Sequence, residues 1–285
     1  MCDVRPIRIG GQTSVSSSTV AEPFEYAVSH RFDAFEWFPD RKPTGEGWLE
    51  IDLPAAVRQQ IRRTAREHDI ALSVHGSWNA NPLTAHGLER LASQAQFAAK
   101  IGASIFVVHS ADADADVDRY MDAVAPLAGR LAADGIGLAI ENTPATGASD
   151  VNELFRHLRA RSWQRGRVGL CLDVGHANLC AETRNDYLAY VDRLAPEVVI
   201  SHVHLHENWG DQDSHLTLFT GPAGRDPAGL EGLVDRLVRR GFAGCIILEQ
   251  WPDPPALLDL ARDRLADLIA ARRQVGVTSA GRAPS

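Results

Sequence analysis

Five short apolar runs in this chain each end in a histidine or a carboxylate, and stretches with helical periodicity separate them. The runs cover residues 72–75, 105–109, 138–141, 169–173 and 246–249. When parallel strands are joined by helices, the carboxyl ends of the strands meet on one face. The pattern therefore predicts an α/β protein with one convergent polar site at its strand ends.

Eight apolar runs, bounded by turn or helix signals, are predicted to be strands. They cover residues 7–10, 34–38, 71–75, 105–109, 137–141, 168–173, 198–206 and 245–249. Strict alternation of strands and helices implies parallel pairing, and eight such units close a barrel. We predict one domain, a parallel eight-stranded (β/α)8 TIM barrel over residues 1–275, followed by a flexible tail over 276–285. An open doubly wound sheet is the alternative, but no Gly-x-Gly-x-x-Gly fingerprint follows the first strand.

Composition narrows the functions open to such a barrel. The formal net charge is -8 and no basic stripe is evident, so nucleic acid is not an expected partner, because phosphate contacts dominate DNA affinity. No apolar stretch approaches the roughly 18 residues that suggest a membrane span, and the N-terminus lacks a signal-peptide core. The four cysteines lack zinc-ribbon or redox spacing. We expect a cytoplasmic protein with a small-molecule substrate, and a homo-oligomer stays open.

The densest polar block covers residues 201–208 and is followed by Asp213-Ser214-His215. Residues two apart on a strand share a face, so His202, His204 and His206 are predicted to point the same way at increasing height in the barrel. We interpret His202 as a buried polar residue of the core. His206 is a candidate for metal or substrate binding, and Asp213 and His215 lie in a loop where both can turn onto one ion.

Mixed histidine and carboxylate side chains at the strand ends predict a divalent metal site. Asp173 and His176 are three residues apart, and Gly175 lets the chain turn between them. A single histidine or glutamate at a strand end is more often a structural residue. Several buried carboxylates together, however, repel one another and are costly to desolvate, and a shared cation removes both problems. Mixed nitrogen and oxygen ligands favour Zn or Mn, whereas a purely oxygen site suits magnesium or calcium.

Four tryptophans follow strand ends, namely Trp37, Trp78, Trp209 and Trp251. We predict that they surround the barrel mouth, where their ring faces pack against the C–H face of a sugar or against a base; the alternative is that they seal the top of the core. Arg225 ends a glycine-containing loop that either binds a phosphate group or is simply a turn.

These motifs together resemble the xylose-isomerase-like TIM barrel superfamily, which includes sugar phosphate isomerases and epimerases and the endonuclease IV family. The resemblance covers about residues 7–270. The motifs that carry it are at 74–78, 108–109, 140–143, 172–177, 202–205, 213–215 and 248–249. As an ordered set they are specific for the superfamily but not for the reaction.

The resemblance to the epimerases implies one divalent ion, held by Glu141, Asp173, His204 and Glu249. It also implies that Glu141 and Glu249 are catalytic and move a proton through a metal-stabilised enediolate. Ketohexose epimerases carry an arginine after the seventh strand. This chain has Trp209-Gly210 there, so it departs from the ketohexose pattern.

The resemblance to endonuclease IV implies a trinuclear zinc site instead. Its positions are filled by His75, His109 and Glu141 for one ion, by Glu141, Asp173, His204 and Glu249 for the second, and by His176, Asp213 and His215 for the third. We therefore predict a metal-dependent isomerase or epimerase of a small sugar or sugar phosphate. The alternative is a phosphoester hydrolase, and between one and three ions are open.

Overall fold

Eight parallel strands close into a barrel in this computed structural model, which describes residues 7–14, 16–110, 116–161 and 167–280 and their side chains up to 274. Each strand pairs with the next along the chain, and the last pairs with the first, so the predicted (β/α)8 barrel is confirmed. The strands are β1 (Arg8–Gln12), β2 (Ala34–Trp37), β3 (Ala71–His75), β4 (Ile105–His109), β5 (Gly137–Glu141), β6 (Val168–Asp173), β7 (Ile200–Leu205) and β8 (Cys245–Leu248).

Helices surround the barrel and cover its outer face. They are α1 (Glu22–Ser29), α2 (Ala55–Glu67), α3 (Ala85–Ile101), α4 (Val117–Ala133), α5 (Ala148–Ala160), α6 (Val174–Leu179), α7 (Tyr187–Arg193), α8 (Pro222–Arg225), α9 (Ala228–Arg239) and α10 (Ala256–Ala280). None of the helices in the described ranges is long and apolar enough to cross a membrane. Helix α10 continues to Ala280, so residues 276–280 of the segment predicted as a tail are helical, and residues 281–285 lie outside the described part.

The predicted bounds of four strands differ from the observed ones. Strands β2 and β8 each end one residue earlier than predicted, and β1 and β7 differ at both ends. Strand β1 extends to Gln12, because Gly11 and Gln12 stay in register with Phe35 and Glu36 of β2. Strand β7 is shorter than 198–206. It begins at Ile200, because the N–H of Val198 closes a turn by donating to the carbonyl of Ala195. Strands β3 to β6 match the predicted bounds residue for residue.

Trp37 lies in the core, so its predicted place at the barrel mouth is wrong. Successive side chains on a strand point to opposite faces, and Glu36 points into the barrel. Trp37 therefore points outward, where it is 1% exposed and packs on Phe24 and Phe97 at ring distances of 5.3 and 6.3 Å.

This placement predicts unequal costs for two tryptophan substitutions. Trp37→Ala should lower the free energy of unfolding by about 3–5 kcal/mol, because it removes a large, fully buried ring. Trp78→Ala is the matched control. Trp78 is 60% exposed, so the change should stay within about 0.5 kcal/mol. Urea unfolding measures both, and equal costs would contradict the inward and outward assignment.

Candidate metal centre

Four buried side chains at the ends of β5, β6, β7 and β8 meet around one nitrogen. His204 Nδ1 lies 3.5 Å from Glu141 Oε2, 3.9 Å from Asp173 Oδ2 and 3.3 Å from Glu249 Oε1. Asp173 and His204 are opposite one another in the pairing of β6 with β7. We call these four residues the inner quartet, and none of them is more than 5% exposed.

Two further histidines approach the quartet from the neighbouring strands. His75 Nε2 on β3 is 2.9 Å from Glu141 Oε2, and His109 Nε2 on β4 is 3.5 Å from the same oxygen. His109 lies opposite Glu141 in the pairing of β4 with β5. The three side chains predicted to hold one ion are therefore adjacent.

The other predicted group forms around Asp213, at the outer edge of the site. Asp213 Oδ2 lies 3.3 Å from His176 Nε2 and 3.2 Å from His215 Nε2. The backbone N–H of His176 donates to Asp173 Oδ1, so the Asp173 carboxylate caps the N-terminus of helix α6 and fixes the position of His176. Thus the structure brings all nine predicted ligands into one continuous cluster.

The cluster leaves several buried polar atoms without a suitable partner. Among the described residues, Glu141 Oε2, Asp173 Oδ2 and His204 Nδ1 are buried, and no donor or acceptor is aligned to form a hydrogen bond with them. Buried polar groups are normally satisfied, and buried carboxylates need a compensating charge. All three atoms face the centre of the quartet, and the donor set of one imidazole and three carboxylates fits a divalent ion.

The two glutamates of the quartet are in different electrostatic surroundings. Burial alone would raise the pKa of Glu141, but His109, His204 and His75 outweigh it and hold that pKa well below its usual range. Burial also raises the pKa of Glu249, and the attraction of His204 does not offset it. One carboxyl group is therefore a stable anion, whereas the other takes up a proton more readily.

Glu36 is part of this site and was missed in the sequence. It is fully buried, Oε2 accepts a hydrogen bond from His202 Nε2 at 3.0 Å, and Oε1 lies 2.9 Å from His204 Nε2. His202 is also fully buried, which confirms its assignment to the core. The available signal was a glutamate at an inward position in the otherwise apolar run 34–38.

His206 lies between the quartet and the outer group. It is 2% exposed, its Nε2 lies 3.4 Å from Asp173 Oδ1 and 3.6 Å from Asp213 Oδ1, and its ring stacks on His215 at 3.9 Å. It therefore contacts both groups of the cluster, and it also lines a cavity of about 280 Å³.

A cleft of about 470 Å³ borders the quartet at Glu249. Trp78, Trp251, Lys42 and His215 also line it. Two predicted substrate contacts lie elsewhere. Trp209 lines a separate cavity of about 280 Å³, and the guanidinium of Arg225 stacks over the Trp209 ring at 4.7 Å.

Residues 24–270 match the xylose isomerase-like TIM barrel family, and the chain belongs to this family. No curated protein matches the chain in sequence. Among solved structures, a D-tagatose 3-epimerase-like protein is similar with a TM-score of 0.73 and 19% identity, covering 94% of this chain and 99% of that one. Endonuclease IV from Thermus thermophilus is similar with a TM-score of 0.66 and 22% identity, covering 91% of this chain and 99% of that one. A second Thermus thermophilus protein, soaked with ZnCl2, is similar with a TM-score of 0.63 and 24% identity, covering 92% of this chain and 98% of that one.

These structural likenesses show the fold. The family itself is typically one of enzymes, with isomerases, epimerases and endonuclease IV among its members. In this chain the buried histidines and carboxylates form groups that could hold a divalent metal ion.

The ring of His206 lies so close to Gly175 that only a glycine fits at this position. A Cβ atom at Gly175 would overlap the His206 ring, whereas Gly129 in helix α4 has open space around it. Gly175→Ala should lower the free energy of unfolding by about 1–3 kcal/mol through overpacking. Gly129→Ala should raise it by about 0.5–1 kcal/mol, because alanine favours a helix interior. Urea unfolding of both variants checks this, and stabilisation by Gly175→Ala would show that His206 is placed differently.

Proposed function

We propose that this protein is a divalent-metal-dependent isomerase or epimerase that acts on a small sugar or sugar phosphate. The observation that carries the proposal is the inner quartet, in which Glu141, Asp173 and Glu249 all lie within 3.9 Å of His204 Nδ1. These are the residues that one ion would need. The likeness to a D-tagatose 3-epimerase-like protein supports the same class of reaction.

The donor set suits zinc or manganese, since it combines an imidazole with carboxylates. A divalent ion held there supplies a Lewis acid that polarises a substrate carbonyl. The protein supplies the surroundings. His75 Nε2 and His109 Nε2 lie 2.9 and 3.5 Å from Glu141 Oε2. Asn142 fixes the end of β6 by exchanging two hydrogen bonds of 2.9 Å with the backbone of Asp173.

The two glutamates provide the proton transfer. Their pKa values move in opposite directions, which is the arrangement that separates an acid from a base in one site. They project from β5 and β8, three strands apart in the barrel, and so approach a substrate from different directions. One carboxylate removes the proton from the carbon beside the carbonyl, and the other returns a proton to it.

The cleft that borders Glu249 supports a small polar substrate. Its volume of about 470 Å³ suits a small ligand. Trp78 and Trp251 offer ring faces for the C–H groups of a sugar, and Lys42 adds a cation that suits a phosphate or another anionic group. Trp37, Trp209 and Arg225 take no part in this cleft.

Deuterium exchange tests the proposed proton transfer. The protein is incubated with a panel of ketoses and their phosphates in D2O, with Mn2+ or Zn2+ present. At least one of these compounds should gain deuterium at the carbon beside its carbonyl, which nuclear magnetic resonance detects. Glu141→Gln and Glu249→Gln should each slow this exchange by about 10²–10⁴-fold, because each removes an acid–base group. The control Glu25→Gln changes an exposed carboxylate on α1 and should exchange at the wild-type rate. Full exchange in both site variants would refute the proposed roles.

A zinc-dependent phosphoester hydrolase is the second candidate. The outer group favours it, because Asp213 holds His176 and His215 beside the inner quartet, as a multinuclear site requires. Clustered ions in such a site activate a hydroxide and stabilise charge on a phosphate.

Metal counting separates the two candidates. If the isomerase proposal is correct, elemental analysis after dialysis should give close to one ion per chain. His215→Ala should keep that ion, and Asp173→Asn should lose it. Three tightly bound zinc ions, with cleavage of an abasic DNA duplex that Asp213→Asn abolishes, would instead establish the hydrolase.

A further inference from the structure

Glu36 lies beneath the inner quartet and contacts one of its members. It belongs to β2, on the far side of the barrel from His204 on β7. We propose that Glu36 is a positioning residue for His204, which fixes the tautomer and the ring orientation that leave Nδ1 free for the metal ion. The inference rests on the proposed metal site, but not on the reaction proposed for it.

The contact joins two side chains that have no access to water. Glu36, His202 and His204 are each 0% exposed. One carboxylate oxygen of Glu36 is occupied by His202, and the other, Oε1, lies 2.9 Å from His204 Nε2. Among the described residues, neither Oε1 nor that nitrogen has an aligned hydrogen-bond partner elsewhere. A small rotation of the imidazole lets Nε2–H donate to Oε1.

The chemistry of a neutral imidazole turns this contact into a choice of tautomer. One ring nitrogen carries the proton, and the other offers a lone pair. With the proton on Nε2, facing Glu36, the lone pair of Nδ1 faces the three carboxylates of the quartet, 3.3 to 3.9 Å away. With the proton on Nδ1, the ring would donate to those carboxylates and could not bind an ion through Nδ1.

A carboxylate suits this task, because its oxygen accepts the imidazole N–H, whereas an apolar side chain would leave the ring unheld. Histidines that bind metals generally donate their other N–H to a carboxylate, a carbonyl or water, and losing that partner weakens metal binding by about 10–100-fold. His202 holds the Glu36 carboxylate from the opposite side and leaves Oε1 facing His204. Burying a charged glutamate in the barrel is unfavourable, and on this proposal it is offset by tighter metal binding.

Metal titration of the apo protein tests the inference. Glu36→Gln keeps the size of the side chain and removes its charge. It should weaken Zn2+ binding in calorimetry by about 10–100-fold and shift the visible absorption of the Co2+ form. Glu50→Gln is the matched control. Glu50 is also buried and accepts a hydrogen bond from the Ser93 hydroxyl at 2.5 Å, but it does not contact the quartet, so its affinity and spectrum should be those of the wild type.

A structural role for Glu36 would give a different result. Glu36→Gln would then lower the melting temperature of the apo protein and leave Zn2+ affinity and the Co2+ spectrum unchanged, which would overturn the inference. Should Glu36→Gln fail to fold, Glu36→Asp keeps the charge but withdraws it by one methylene, and wild-type affinity in that variant would count equally against it. If the wild-type protein binds no Zn2+ or Co2+, the metal site itself is wrong, whereas normal wild-type binding with no effect at Glu36 removes only this inference.

Discussion

Repulsion between buried carboxylates at the barrel mouth is the constraint on which the site depends. Glu141, Asp173 and Glu249 are each at most 5% exposed, and all of them surround a single histidine nitrogen. Three such anions in a low-dielectric environment are stable only with compensating positive charge. The neighbouring histidines supply part of this charge, and a divalent ion in the quartet would complete it.

The barrel produces this convergence through side-chain alternation. Parallel strands end on one face, so residues far apart in sequence, such as His75 and Glu249, meet there. On each strand the residues between the inward-pointing ones pack in the core outside the barrel. On β2, for example, Glu36 points inward and Trp37 points outward. The same rule places His202, His204 and His206 at successive heights, with the first in the core and the last at the outer group.

Much of this was readable from the sequence because strand ends and ligand types share one linear pattern. The eight strands followed from apolar runs between turn and helix signals, and five of these runs end in a candidate ligand. The complete set of nine candidate ligands was implied by the resemblance to endonuclease IV. Other features depend on register and loop packing, which a linear pattern does not encode. Trp37 points away from the mouth because its neighbour Glu36 points inward. Trp209 lies against the guanidinium of Arg225 and does not line the cleft. Glu36 was missed because it lies within the run 34–38 and does not end it, and its contacts with His202 and His204 depend on the packing inside the barrel.

Anomalous diffraction from crystals soaked in Zn2+ or Mn2+ would show whether the inner quartet holds a divalent ion, because it locates ions without assuming a reaction. We expect a strong peak within about 2.0–2.3 Å of His204 Nδ1 and of the nearest oxygens of Glu141, Asp173 and Glu249. An empty quartet, with peaks only beside His176, Asp213 and His215 or none at all, would contradict this expectation.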